Sequence, residues 1–327
     1  MAGLNGSGAA GAAPVAAAAP ATATPIAPLP AGALERAVVF ECAGSELVGI
    51  VATPEGPAAA VGVIILVGGP QYRAGSHRQF TLLARHLAAR GIASLRFDYR
   101  GYGDSAGRAA LGVVGVEDDL RAAIDRLRKE VAAVARVVVW GLCGAASAAT
   151  MYAADDRRVA GLVMVNPWVR TEEGLAKAQL RHYYVARLAD REFWRRVTRG
   201  DVALGAALGG LAHSVGRALG LARSAAPVPH VAADAPAAGE PQALPQLMLE
   251  GLGRSGVPAL VILSGDADLT ANEFRDLVAR SAPWRRWLDS PHVRLAEVAG
   301  STHTFARADW RAEVEALSAD WVAALAR

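Results

Sequence analysis

The sequence contains few cysteines and no cluster of like charges. Only two of the 327 residues are cysteines, Cys42 and Cys143. This number excludes a disulfide-rich scaffold and the usual zinc motifs, and we expect no metal and no organic cofactor. The 34 Lys and Arg residues nearly balance 31 Asp and Glu residues and are scattered along the chain. The basic stripe of a nucleic-acid-binding protein is therefore missing, and nucleic acid is not an expected partner.

Long apolar runs are also missing. No stretch of 18 or more uninterrupted apolar residues is present, so we predict no transmembrane helix. Residues 1–34 contain no charged side chain and lack the positive start of a signal peptide. Their Ala- and Pro-rich composition predicts a disordered tail. We therefore expect a cytoplasmic protein and do not favour membrane contact; the sequence leaves the oligomeric state open.

What the sequence does contain is a regular alternation of strand and helix patterns. Residues 37–41 and 46–53 predict an opening hairpin. Continuous apolar runs predict buried strands at 61–67, 93–97, 136–140, 159–165, 259–263 and 293–297. Helical patterns occur at 77–90, 116–128, 144–154 and 308–325. We predict an α/β fold, in which helices cover both faces of a mostly parallel central sheet.

The alternation stops between residues 166 and 257. We interpret this segment as a helical cap inserted into the fold, with a flexible Ala- and Pro-rich loop at about 223–247. The predicted core then consists of residues 35–165 and 258–327.

The segment GLCGA at 141–145 joins a predicted strand to a helix rich in small residues. This context is typical of a nucleophile elbow, a sharp turn that tolerates only small neighbours. A thiol at Cys143 would lie at a helix N-terminus, which favours the thiolate. The amide of Gly144 would point at a developing oxyanion. The alternative is that Cys143 is an ordinary buried apolar residue.

Two later segments supply partners for a nucleophile. Asp266 and Asp268 follow the strand at 259–263, and His303 follows the strand at 293–297. The order nucleophile, acid, histidine is that of the α/β-hydrolases. His303 is the predicted general base and Asp268 the favoured orienting acid, with Asp266 as the alternative.

The remaining site predictions concern the oxyanion hole and the pocket. Gly69, after the strand at 61–67, is the predicted second oxyanion donor, with Gln71 as the alternative because Pro70 has no N–H. Five residues are candidates for substrate binding: Arg73, His77, Arg78, Trp168 and Arg170. The basic ones could hold an anionic substrate group. The alternative is that they are ordinary surface or packing residues. The turn at 98–105 is interpreted as structural, with Asp104 or Ser105 capping the next helix.

From residue 36 onward the sequence resembles the α/β-hydrolase superfamily. It resembles more specifically the hydrolase 1 family associated with the exosortase A system, through these segments: GGPQYR at 68–73, GSHRQF at 75–80, RFDYRG at 96–101, WGLC at 140–143, NPWVR at 166–170 and DLT at 268–270. The resemblance implies a bacterial cytoplasmic hydrolase encoded beside protein-sorting and exopolysaccharide genes.

The sequence departs from the superfamily pattern at three positions. Cys143 stands in place of the usual serine, as in dienelactone-hydrolase-like enzymes. Ala145 replaces the last glycine of the elbow, and Val67 stands where many relatives carry histidine. We expect a hydrolase acting on a small-molecule ester or thioester through Cys143, His303 and Asp268. The alternative is a catalytically degenerate member that serves as a binding or scaffolding protein in envelope assembly.

Overall fold

A computed structural model describes residues 33–68, 71–109, 115–169 and 244–326. It opens with the predicted hairpin, in which β1 (Ala33–Cys42) pairs antiparallel with β2 (Ser45–Pro54). The connecting turn has positive φ at Ala43 (48°) and Gly44 (77°). Glycine has no Cβ to clash in this conformation, so the chain can reverse within two residues.

The continuous apolar runs form the centre of the sheet. The further strands are β3 (Val61–Leu66), β4 (Ser94–Phe97), β5 (Arg136–Leu142), β6 (Val159–Val165), β7 (Ala259–Ser264) and β8 (Val293–Val298). Every residue of β3, β4, β6 and β7 is buried, as expected for strands covered on both faces. The order across the eight strands is β1-β2-β4-β3-β5-β6-β7-β8. In this order, all neighbouring strands from β4 through β3 to β8 are parallel, which confirms the predicted fold class.

The described α-helices are α1 (Gln79–Ala89), α2 (Glu117–Glu130), α3 (Gly144–Tyr152), α4 (Leu244–Ser255), α5 (Leu269–Arg280), α6 (Ala282–Leu288) and α7 (Ala308–Leu325). Side chains alternate between the two faces of a strand, and Trp140 of β5 contacts Phe80 of α1 and Ser318 of α7. Val137 of β5 faces the side of the sheet opposite to Trp140. Gly62, its partner in register on β3, lies beneath α2 on that side. Helices therefore cover both faces, as predicted.

Three described helices lie outside the predicted pattern. α5 and α6 fill the interval between β7 and β8, which the sequence analysis left without helices. α4 begins inside the predicted loop and within the predicted cap, but it packs against α3 of the core. A Cβ on Gly251 of α4 would lie 2.4 Å from the carbonyl oxygen of Thr150, so the two backbones are nearly in contact.

Residues 170–243 of the predicted cap and loop lie outside the described residues, as do residues 1–32 of the predicted tail. The last two residues of that tail, Ala33 and Leu34, instead begin β1, because they pair with β2. Within the described part of the chain, no helix combines the length and apolar character needed to cross a membrane.

Candidate active site

The turn between β5 and α3 has the backbone conformation of a strained elbow. Cys143 has φ 59° and ψ −124°, a combination that residues with a side chain rarely adopt and that is found mainly at functional sites. The turn is also sterically tight, since a Cβ on Gly141 would lie 2.6 Å from the carbonyl carbon of Ala145. The small residues predicted from the sequence are therefore a steric requirement. They leave Cys143 partly exposed at the N-terminus of α3.

The structure brings His303 to Asp268. The ring Nδ1 of His303 lies 2.9 Å from Oδ2 of Asp268. Asp268 is buried, and its other oxygen accepts the backbone N–H of Thr270 at 2.9 Å, which caps the N-terminus of α5. Asp266 is exposed, and its carbonyl oxygen accepts from Asn272. Of the two candidate acids, Asp268 is the one in contact with the imidazole.

The electrostatic environment favours the charged forms of both His303 and Asp268. Burial by itself lowers the pKa of His303, but hydrogen bonds to Asp268 and Cys143 outweigh it and raise this pKa to about 10. Burial by itself raises the pKa of Asp268, but its bonds to His303 and Ser264 prevail and lower it. Cys143 is therefore close enough to the imidazole to contribute to the shift in the pKa of His303. At neutral pH the imidazole is therefore protonated, between a carboxylate and a sulfur.

The loops that carry Asp268 and His303 touch through their backbones. A Cβ on Gly265 would lie 2.7 Å from the amide nitrogen of Gly300, so only glycine permits this approach. The amide of Gly265 also donates to the carbonyl oxygen of Ser301 at 3.2 Å. The ends of β7 and β8 are thereby locked together just before the two functional residues.

Two buried residues that the sequence analysis did not single out join these loops. Asn166 follows β6 directly, and Ser264 is the last residue of β7. Both are fully buried and form hydrogen bonds with the Asp268 and His303 segments. The available sequence signal was a polar residue at the end of an apolar strand, at the edge where the predicted site lies.

The predicted oxyanion donors are described only in part. Gly144 is the first residue of α3, a position whose amide has no partner within the helix. Gly69 lies outside the described residues, and Gln71, its alternative, is half-buried. The neighbouring Gly68 runs against the elbow, because a Cβ there would lie 2.3 Å from the carbonyl oxygen of Leu142. Gly68, in the segment after β3, therefore lies beside the elbow, and the role of Gly69 stays a prediction.

Arg73 has two carboxylate partners in the structure. Its guanidinium forms ion pairs with the fully buried Asp98 and, at 2.8 Å, with Asp104. Its backbone N–H also donates to Asp98, at 2.7 Å. An anionic substrate group would have to compete with both carboxylates, so the visible effect of Arg73 is to fasten the segment after β3 to the turn after β4.

The expectation that Asp104 or Ser105 caps the next helix is wrong. The N-cap of α2 is Val116, which makes no side-chain cap bond. Ser105 instead donates its hydroxyl to the carbonyl oxygen of Asp98 at 2.7 Å and accepts the N–H of Val48 at 2.9 Å. The turn thus joins β2 to β4 because its polar groups find partners across the sheet.

The other substrate-binding candidates stay predictions. His77 and Arg78 are exposed in the turn before α1 and have positive φ, 53° and 61°. Trp168 is half-buried, and its backbone N–H lies 3.3 Å from the carbonyl oxygen of Cys143, while its own carbonyl accepts from Ser147 at 2.5 Å. Arg170 lies outside the described residues. The described residues contain no group of three or more His, Cys, Asp or Glu side chains arranged to hold a metal ion.

Comparison with known proteins supports the fold. A family model described as serine aminopeptidase, S33, matches residues 59–201, which include the elbow. An esterase of Pyrococcus furiosus superimposes with a TM-score of 0.57 at 15% identity, over 90% of this chain and 92% of that one. The chain has the α/β-hydrolase fold.

Two further structures show how widely this α/β-hydrolase fold is shared. A dienelactone hydrolase of Anabaena variabilis has a TM-score of 0.53 at 15% identity, with coverage of 89% of this chain and 97% of that one. The protein Est1E of Butyrivibrio proteoclasticus, solved with ferulic acid, has a TM-score of 0.55 at 17% identity and coverage of 88% and 98%. A comparison with curated protein sequences finds no match.

Proposed function

We propose that this protein is a hydrolase that cleaves an ester or thioester acyl bond, with Cys143 as nucleophile, His303 as acid and base, and Asp268 as the orienting acid. The observation that carries the proposal is the position of His303, which is hydrogen-bonded to Asp268 at 2.9 Å and lies close enough to Cys143, at the strained elbow, for the sulfur to raise its pKa. Ester chemistry on the same fold, in the Pyrococcus furiosus esterase and the Anabaena variabilis dienelactone hydrolase, supports the reaction class.

The raised pKa of His303 modifies the role expected from the sequence. A general base removes the proton of the nucleophile when substrate binds, but here the proton already lies on His303 beside Cys143. In the proposed reaction Cys143 therefore acts as the thiolate partner of an imidazolium that is already protonated. The Cys143 thiolate attacks the acyl carbon, and the carbonyl electrons move onto oxygen, which the amides of Gly144 and Gly69 stabilise.

The remaining steps return the enzyme to its starting state. The tetrahedral intermediate expels the alcohol or thiol as His303 donates its proton, which leaves a thioester on Cys143. Neutral His303 then takes a proton from a water molecule, whose oxygen attacks the thioester. Collapse of the second intermediate releases the acid and restores the thiolate and the imidazolium, with Asp268 ionised throughout.

We place this hydrolase with a bacterial exosortase and exopolysaccharide system, on the resemblance of the segments GGPQYR, RFDYRG, WGLC and NPWVR to the hydrolase 1 family. The substrate is then an acyl-bearing small molecule made in the cytoplasm. No membrane partner, nucleic acid or cofactor enters the proposed reaction.

The proposal is tested by intact-protein mass spectrometry after brief exposure to a panel of p-nitrophenyl esters and acyl-coenzyme A thioesters. We expect an acyl adduct that maps to Cys143, and loss of turnover by at least about 10³-fold in Cys143→Ala. Cys42→Ala is the matched control, since it removes the other cysteine and should keep both adduct and turnover. Full turnover by Cys143→Ala would refute the assignment. An absence of adduct and turnover with every donor would favour the alternative, a binding or scaffolding protein.

A further inference from the structure

Asn166 occupies a position that few residues can adopt. It follows β6 directly, it is fully buried, and its φ is 43°, in the left-handed region. Asparagine tolerates this region better than other residues with a side chain, and glycine tolerates it best. The chain therefore bears a conformational cost to direct this one amide into the space between β6, β7 and the His303 loop.

The side chain of Asn166 joins two other segments. Its Nδ2 donates to the carbonyl oxygen of His303 at 3.1 Å, and its Oδ1 accepts the backbone N–H of Ser264 at 2.8 Å. The opposite orientation of the amide would set donor against donor at Ser264 and oxygen against oxygen at His303, so the contacts determine it. The backbone N–H of Asn166 donates to Ile262 at 2.9 Å, which fixes the base of the side chain on β7.

The hydroxyl of Ser264 continues this path to the acid. Its Oγ lies 2.5 Å from Oδ2 of Asp268 and 3.1 Å from Oδ1 of Asn166. A hydroxyl donates one proton, and both neighbours are acceptors, so the shorter contact to the charged oxygen receives it. The same Oδ2 of Asp268 faces the imidazole of His303. The hydrogen bonds thus form a closed ring from the His303 backbone through Asn166, Ser264 and Asp268 to the His303 ring.

We propose that Asn166 is a positioning residue, which through this ring of hydrogen bonds holds the main chain of His303 at a fixed distance from Asp268. The proposal rests on the proposed function, since a fixed imidazole matters only if it serves Cys143. Three strand ends supply the three groups of the proposed triad, and the contact of Gly265 with Gly300 joins only the ends of β7 and β8. Asn166 adds a link from β6, the strand between the nucleophile strand β5 and the acid strand β7.

A purely structural role would have a different signature. If Asn166 only satisfied buried polar groups, its loss would lower stability and leave the titration of His303 unchanged. If it positions His303, its loss lets the imidazole move away from Asp268, and the pKa of His303 falls towards the ordinary value.

The experiment follows the His303 imidazole by NMR in protein with labelled histidine, assigned with His303→Gln. The variant Asn166→Gly keeps the backbone conformation and removes both side-chain bonds without adding charge. We expect its His303 midpoint to fall by at least about one pH unit from the wild-type midpoint of about 10. The control Ser318→Ala removes a buried serine hydroxyl that also makes two hydrogen bonds, on the far helix α7, and should leave the midpoint unchanged.

A wild-type midpoint in Asn166→Gly overturns the proposal, whatever happens to turnover. If that variant does not fold, Asn166→Ser replaces it, because serine adds no charge and is too short to span from Ser264 to the carbonyl oxygen of His303. A lowered His303 midpoint in this variant supports the proposal, and a wild-type midpoint overturns it. The titration is measured without substrate, and failure of the proposed function in the acyl-donor assay therefore stays distinguishable from failure of this inference.

Discussion

The two cysteines of this protein lie in regions that place groups of opposite charge beside the thiol. Cys42 ends β1, is 5% exposed, and donates its S–H to Oδ1 of Asp119 at 3.1 Å. Cys143 lies partly exposed at the elbow, with the protonated ring of His303 as its partner. Burial and the Asp119 carboxylate raise the pKa of Cys42 to about 12. A neighbouring carboxylate disfavours a thiolate, whereas a neighbouring cation stabilises one.

The sharpest way to measure this difference is alkylation with iodoacetamide. At about pH 8, a pKa of about 12 leaves only about 10⁻⁴ of Cys42 as thiolate, and its burial slows access of the reagent. We expect Cys143 to be labelled at least about a hundredfold faster, as quantified by peptide mass spectrometry. Equal rates at the two cysteines would show that the partner groups do not control reactivity.

Removing the carboxylate beside Cys42 should reduce the difference in alkylation rate between Cys42 and Cys143. In Asp119→Asn the negative charge that opposes the thiolate disappears, so the pKa of Cys42 should fall and its alkylation rate should rise by about tenfold. Cys143, far from this change, should keep its rate. Arg100 loses its ion pair with the buried Asp119 and keeps only Asp118, at 3.9 Å, so denaturant unfolding should also show lower stability, by about 2 kcal/mol. An unchanged Cys42 rate in folded Asp119→Asn would contradict the role of the carboxylate.

The smallest expected effect is the pH dependence of the contribution that His303 makes to the free energy of unfolding. The folded pKa of His303, about 10, lies above its unfolded value of about 6.5. Its contribution to stability is therefore complete below about pH 6.5 and is lost as the pH rises through about 10. Wild-type protein should exceed His303→Gln in its free energy of unfolding near pH 6, and this excess should shrink by at least about 1 kcal/mol near pH 10.5. Urea titrations of both proteins at the two pH values measure it; an excess that grows with pH would contradict the shift.

The strands illustrate what local patterns can predict. The apolar run at 159–165 matches β6 residue for residue, and the helix pattern at 308–325 matches α7. Both succeed because a strand buried on two faces must be apolar throughout, and a long helix shows its periodicity over several turns. α4 is different, because nothing local in residues 244–255 shows that they pack on α3 instead of in a cap.

The candidate site likewise contains residues that the sequence predicts and residues that only the structure identifies. Cys143 and His303 could be selected from the sequence because the elbow and the chain order carry recognisable patterns. Asp268 and Asp266 are two residues apart in one loop, so sequence could only rank them, and the 2.9 Å contact distinguishes them. Arg73 was predicted from its charge to meet an anion, but its carboxylate partners lie 25 and 31 residues away along the chain.

The sequence by itself determined the α/β architecture, the strained turn at Cys143 and the order in which the functional residues appear, since burial pattern and residue size act locally. Only the tertiary structure decided which carboxylate meets His303, that Asn166 and Ser264 join the loops, and that Cys42 faces Asp119. These outcomes depend on the sheet order, which brings distant strand ends to one edge. A hydrogen bond or an ion pair acts over a few ångströms of space, whatever the separation along the chain.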